Sequence, residues 1–177
     1  MLSLSPTRLT FAGLGLLALL VPLGLGCAHA GETSSAAPSG SSPPWTPSAE
    51  EDAVYRALSS RDGAPDCASV EALAKDPTAV LVSVVEHAQQ PPWVGVRAAK
   101  CLIERHSAEV QPQLVAWVQA PNKRGLAVLL ANEMDNMPEP VAVEVAKAGL
   151  AGPYAADMRA RLGSCKHPAV LALLPSP

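Results

Sequence analysis

Residues 76–106 read DPTAVLVSVVEHAQQPPWVGVRAAKCLIERH. Asp76 followed by Pro77 is a helix start, because a carboxylate can accept the free first-turn N–H groups and proline lacks the N–H that would go unpaired there. The apolar run stops at Gln89-Gln90, and Pro91-Pro92 break the chain. A second helix then begins at Trp93. Within it Val94, Ala98, Cys101, Leu102 and Arg105 fall on approximately one face, and Val96, Ala99 and Ile103 broaden that face. Trp93 and Val96 are expected to pack toward the first helix of the pair. The stretch therefore predicts two apolar helices joined by a proline break.

The plan recurs along the chain. Asp62-Gly63, Pro91-Pro92, Pro121-Asn122 and Gly152-Pro153 interrupt it at intervals of about 30 residues. Cutting at about 31 residues gives the windows 45–75, 76–106, 107–137 and 138–168, each predicted to hold two apolar helices around a breaker. In the third window Val110, Leu114, Val115 and Val118 form a stripe with Trp117 beside it. Asn122 and Pro138-Glu139 mark further starts. One helix pair cannot bury its apolar face alone, but stacked pairs build a continuous core. The expectation is an all-α chain: an α-solenoid of about four antiparallel helix pairs over residues 49–177. The alternative is a generic antiparallel bundle with an accidental period.

Composition agrees with helices. The apolar residues are mostly Ala, Leu and Val, and aromatics make up 3% of the chain. That suits close helix packing better than a β-sandwich core. The formal charge is −3 and no basic run exists. Nucleic-acid binding is disfavoured, since it depends on clustered Lys and Arg.

The repeats resemble HEAT repeats. The resemblance lies in the second helices, in Val96-Arg97-Ala98-Ala99 and Met158-Arg159-Ala160, where an apolar-Arg-small pattern recurs at one window position. The third window has Val128 in that slot and the first has Asp66. Because Arg97 and Arg159 recur with the repeat, both are read as structural: an apolar-packed stem with a guanidinium bonding helix-end carbonyls or a carboxylate.

The N-terminus reads as an address. Arg8 precedes an apolar run over residues 9–25, broken by Pro22, and then LGLGCAHAGE. This is the layout of a secretory signal over residues 1–30. Ala28-His29-Ala30 allows ordinary cleavage, with a mature start at Gly31. Leu23-Gly24-Leu25-Gly26-Cys27 instead resembles a bacterial lipobox, although Gly24 stands where Leu or Val is usual. That resemblance implies a lipid on Cys27, and Ala28 after it implies outer-membrane sorting. Residues 31–48 are rich in Ser, Pro and Ala and nearly uncharged, the composition of a disordered tether, which makes sense when one end is anchored.

With Cys27 assigned to the signal, Cys67, Cys101 and Cys165 remain. Cys67 and Cys101 lie in the second helices of neighbouring windows, whose axes should stand about 8–10 Å apart. Facing positions can then reach the Cα separation a disulfide needs, about 7 Å or less. Cys101 and Cys165 are two windows apart. The expected disulfide is Cys67–Cys101, leaving Cys165 as a small buried residue or, alternatively, an intermolecular partner.

Catalytic and metal motifs are not apparent. His87, His106 and His167 are scattered and lack helix-turn spacing with a third donor. There is no Gly-rich phosphate loop and no nucleophile elbow. No cofactor or metal is expected. The leading reading is a non-catalytic, lipid-anchored envelope protein that binds an unidentified envelope partner through its helical surface. A periplasmic enzyme or accessory subunit with an unrecognised site, and a purely structural envelope protein, are the alternatives.

Overall fold

A computed structural model describes residues 45–175. The signal, Cys27, the cleavage position at Ala30 and most of the tether lie outside the described residues. Within them the chain is helical and holds no strand. The helices are α1 (Ala49–Ser59), α2 (Cys67–Glu71), α3 (Pro77–His87), α4 (Trp93–His106), α5 (Gln111–Gln119), α6 (Arg124–Asn132), α7 (Glu139–Leu150), α8 (Ala155–Leu162) and α9 (Pro168–Leu171). A 3-10 turn over Met134–Asn136 follows α6.

The helix starts have local causes. Ser48 opens α1 with a capping box. Its hydroxyl accepts from the Glu51 N–H, and its own N–H donates to the Glu51 carboxylate at 2.7 Å. Asp66 caps α2 through the Ser69 N–H, and Asp76 caps α3 through the Ala79 N–H. Proline occupies the first turn of α3, α5, α7 and α9, where its missing N–H costs nothing. Gly63 has φ +126°, a conformation open to glycine but strained for other residues. This is the physical content of the Asp62-Gly63 break.

Consecutive helices pair: α1 with α2, α3 with α4, α5 with α6, α7 with α8. Successive pairs also touch, through α1–α3, α4–α6, α5–α7 and α6–α8, and α9 lies on α7. One hydrophobic cluster runs from Val54 through Leu102, Trp117 and Met158 to Val170. Small residues let the helices approach. Ala98, Ala99, Ala127, Ala142 and Ala146 are fully buried. A Cβ on Gly152 would stand 2.9 Å from the Val118 carbonyl oxygen, so the Gly152-Pro153 break is also a packing requirement.

Four expectations need correction. In the first window the second helix is five residues long, because Gly63 and Pro65 take up the turn before it and Asp76-Pro77 restart the chain soon after. Val96 is 42% exposed, not packed against α3. Two residues from the buried Val94, it is rotated by about 200° on a helix of 3.6 residues per turn. For the same kind of reason Trp117 is buried and Val115 only half-buried, so the tryptophan lies in the stripe and the valine at its edge. Finally, α9 is an additional helix that starts where the fourth window ends. Its Val170 is fully buried.

The residues just before α1 are packed. Trp45 stacks on His87 with ring centroids 5.9 Å apart and meets Tyr55 edge-on at 6.0 Å. Tyr55 in turn donates its hydroxyl to the Gln90 carbonyl.

Candidate functional site: two clefts along α4

Helix α4 buries Val94, Ala98, Cys101, Leu102 and Ile103 and turns Lys100, Glu104 and Arg105 outward. Two open clefts flank this outward edge, and Glu104 lines both.

The first cleft, about 250 Å³, is lined by Leu58, Pro65, Cys67, Arg97, Lys100 and Glu104, with Cys101 at its side. Asp66 caps α2 and so places Cys67 at its first position. Cys67 is bonded to Cys101 with S–S 2.04 Å and Cα–Cα 5.3 Å. Arg97 Nη1 donates to the carbonyl oxygens of Leu58, at 2.7 Å, and Ser60, at 2.6 Å. These lie at the C-terminal end of α1, where carbonyls lack intrahelical partners and the helix dipole is negative. Arg159 differs. It is exposed and makes no side-chain hydrogen bond or ion pair among the described residues. The shared window position therefore gives the two arginines no shared contact.

The second cleft, about 440 Å³, lies between the end of α4 and the turn before α7, over residues 104–109 and 135–138. Its charged groups other than Glu104 are already engaged. His106 Nε2 is 3.0 Å from Glu71 Oε1, and its Nδ1 is 3.2 Å from Thr78 Oγ1 and 3.4 Å from Glu109 Oε2. Arg105 Nε donates to Glu71 Oε1 at 2.7 Å. Burial pushes the Glu71 carboxyl up, but hydrogen bonds from Arg105 and His106 outweigh it and hold the group below the usual carboxylate range. Asp135 is also held low, by the Lys166 N–H and the Cys165 thiol. Cys165 is buried and unpaired, and burial, together with the Asp135 carboxylate 3.2 Å away, pushes its thiol up. It is therefore held as the unreactive thiol.

The chemistry of this surface is limited. Thr78, His106 and Glu71 do place a hydroxyl, an imidazole and a carboxylate in line. Yet the Thr78 hydroxyl also donates to Glu109 Oε2 at 3.1 Å. A carboxylate at that point would repel the oxyanion formed in acyl transfer, the reverse of what such chemistry needs. Among the described residues no group of three or more His, Cys, Asp or Glu side chains is arranged to hold a metal ion. What the clefts offer is an open surface whose charges, Glu104 apart, are paired within the chain.

One polar centre was not anticipated. Glu86 accepts hydrogen bonds from Gln113 Nε2 at 2.9 Å, from the Trp117 indole N–H and from the Lys123 ammonium. It thus ties α3 to α5 and to the residue before α6. The available signal was that Glu86 is the sole carboxylate within the apolar helix α3. Burial pushes its carboxyl up, but the donors from Lys123, Trp117 and Gln113 win, and the group is held below its ordinary value of 4.5. A depressed carboxyl stabilises the fold above its unfolded value, and that contribution is lost as pH falls through the folded value. Wild type should accordingly be more stable than Glu86→Gln at pH 7. The gap in urea midpoint should shrink as pH falls below about 4.5. A gap that stays constant down to pH 3 would rule out this linkage.

No family model matches the chain, and neither a curated protein nor a solved structure matches it.

Proposed function

We propose that this chain is an exported envelope protein, anchored by a lipid on Cys27, whose helix pairs form a short HEAT-like solenoid that binds a partner protein without catalysis. The observation that carries the reading is how successive pairs are joined. Cys67 bonds Cys101, 34 residues on. Lys100 pairs with Glu133 at 2.7 Å, and Arg124 pairs with Asp157 at 2.7 Å. Each link spans one repeat plus two or three residues, and each joins a second helix, or the residue just after it, to its counterpart in the next pair. Links that recur at one period are what stacking in a solenoid requires. The open clefts along α4, lined by charges paired within the chain apart from Glu104, favour a broad polypeptide partner over a small ligand, which is ordinarily held in an enclosed, largely apolar pocket. No helix among the described residues is long and apolar enough to cross a membrane, so attachment in this reading falls to Cys27.

Two measurements test it. A photo-crosslinking residue at Glu104, on the cleft edge, should yield a defined protein adduct in intact envelopes, while one at Glu144 on α7 should not. Equal labelling from both positions, or none from Glu104, overturns the binding surface. The anchor is tested separately by the intact mass of the membrane-extracted chain. A lipid-modified N-terminal Cys27 supports it, and an unmodified chain starting at Gly31 ends it.

A further inference from the structure

The segment 60–76, between α1 and α3, is built unlike the rest of the domain. Its one fully buried side chain is Val70. It contains a turn at Gly63, the five-residue helix α2 and a second turn before Asp76. Discrete ties hold it to α4 and α1. Arg97 holds its start by the Ser60 carbonyl. Glu71 bonds Arg105 and His106. Glu50 accepts from the Lys75 N–H. The covalent tie is Cys67–Cys101.

The two sulfurs are not equally placed. Cys101 is 3% exposed within the core cluster. Cys67 is half-buried, and both cysteines line the open cleft of about 250 Å³. A thiol entering from solvent therefore meets Cys67 first.

We propose that residues 60–76 form a redox-released strap, opened by a dithiol reductant that attacks at Cys67. A thiolate of the dithiol bonds to Cys67 Sγ. The Cys67–Cys101 bond breaks, and Cys101 leaves with the electron pair and takes up a proton. The second thiol of the reductant then displaces Cys67, which is protonated in turn. The reductant becomes a cyclic disulfide, having supplied two electrons and two protons. Segments with few buried contacts open most readily once a constraint is removed. The strap retains Val70 and its polar ties, whereas α3 to α8 retain the continuous core. Release exposes Cys101, which is 3% exposed beneath the strap, and frees Arg105 and His106 from Glu71.

Hydrogen–deuterium exchange with mass spectrometry on the full chain, oxidised and then reduced with dithiothreitol, tests this. After reduction, amides of residues 66–75 should exchange at least about tenfold faster than in the oxidised chain and at least about tenfold faster than the slowest amides of α5 to α8, which open only with the whole domain. Unchanged exchange in 66–75 would mean that the other ties suffice. Exchange of 66–75 at the same rate as the slowest amides of α5 to α8 after reduction would mean that the segment opens only with the whole domain. Either result overturns the strap. The direction of attack has its own readout: brief exposure to a monothiol should trap a mixed disulfide on Cys67. An adduct on Cys101 refutes attack at Cys67.

Discussion

Replacing Trp117 with alanine is expected to destabilise the domain by about 3–5 kcal/mol, the usual loss for a fully buried large aromatic. Trp117 is 1% exposed and heads the fully buried side chains by size. The core around it is built from Leu, Val, Ala and Met, so few neighbours can move in to fill the space. The substitution also removes an indole donor from Glu86, leaving that carboxylate with Gln113 and Lys123. Lys123 loses the ring it lies over at 6.0 Å. Urea denaturation should show a lower midpoint with an unchanged slope. Trp117→Phe separates the two contributions, because it keeps most of the volume and drops the N–H. It should lose less than alanine does. Equal losses for the two variants would assign the effect to the Glu86 hydrogen bond rather than to packing, and an alanine loss below about 1 kcal/mol would contradict both.

Removing the crosslink is the second large effect. Cys67→Ser combined with Cys101→Ser is expected to lower stability by about 3–4 kcal/mol in the chain-entropy account. The bond closes a loop of 34 residues, which the unfolded chain would otherwise sample freely. Domains of this size are ordinarily stable by about 5–15 kcal/mol, so the variant should remain folded with a lower melting temperature. Dithiothreitol should shift the wild type by a similar amount and leave the double serine variant unmoved. A wild type indifferent to reductant would show that the bond contributes nothing, and a variant still sensitive to it would point to Cys165.

Much of the local structure was legible because its causes are local. Asp76-Pro77 starts a helix whatever surrounds it, since the cap and the missing N–H act within one turn. The same holds for the breaks at Gly63, Pro91-Pro92 and Gly152-Pro153. The pairing of Cys67 with Cys101 was also accessible, as it follows from neighbouring second helices, and the structure places those sulfurs together. The first window misled because its composition resembles the others. Its turn takes up so many residues that only a five-residue helix fits before Asp76.

Burial around each helix is a different matter. Periodicity gives an apolar arc but not where its edges fall, so Val96 was placed inside and is exposed, while Trp117 was placed beside the stripe and is buried. Glu86 looked like one more carboxylate until α5 brought Gln113 and Trp117 to it.

By itself the sequence determined that the described chain is helical, where its helices begin and break, and which cysteines could meet, because capping, proline chemistry and helical periodicity operate over a few residues. Only the tertiary structure decided that Arg97 binds the end of α1 while Arg159 stands in solvent, that Glu86 carries three donors, and that Cys67 is more exposed than Cys101 in the cleft they share. Those outcomes depend on which groups from distant parts of the chain arrive at hydrogen-bonding or packing distance, and that distance is set by how the helices stack.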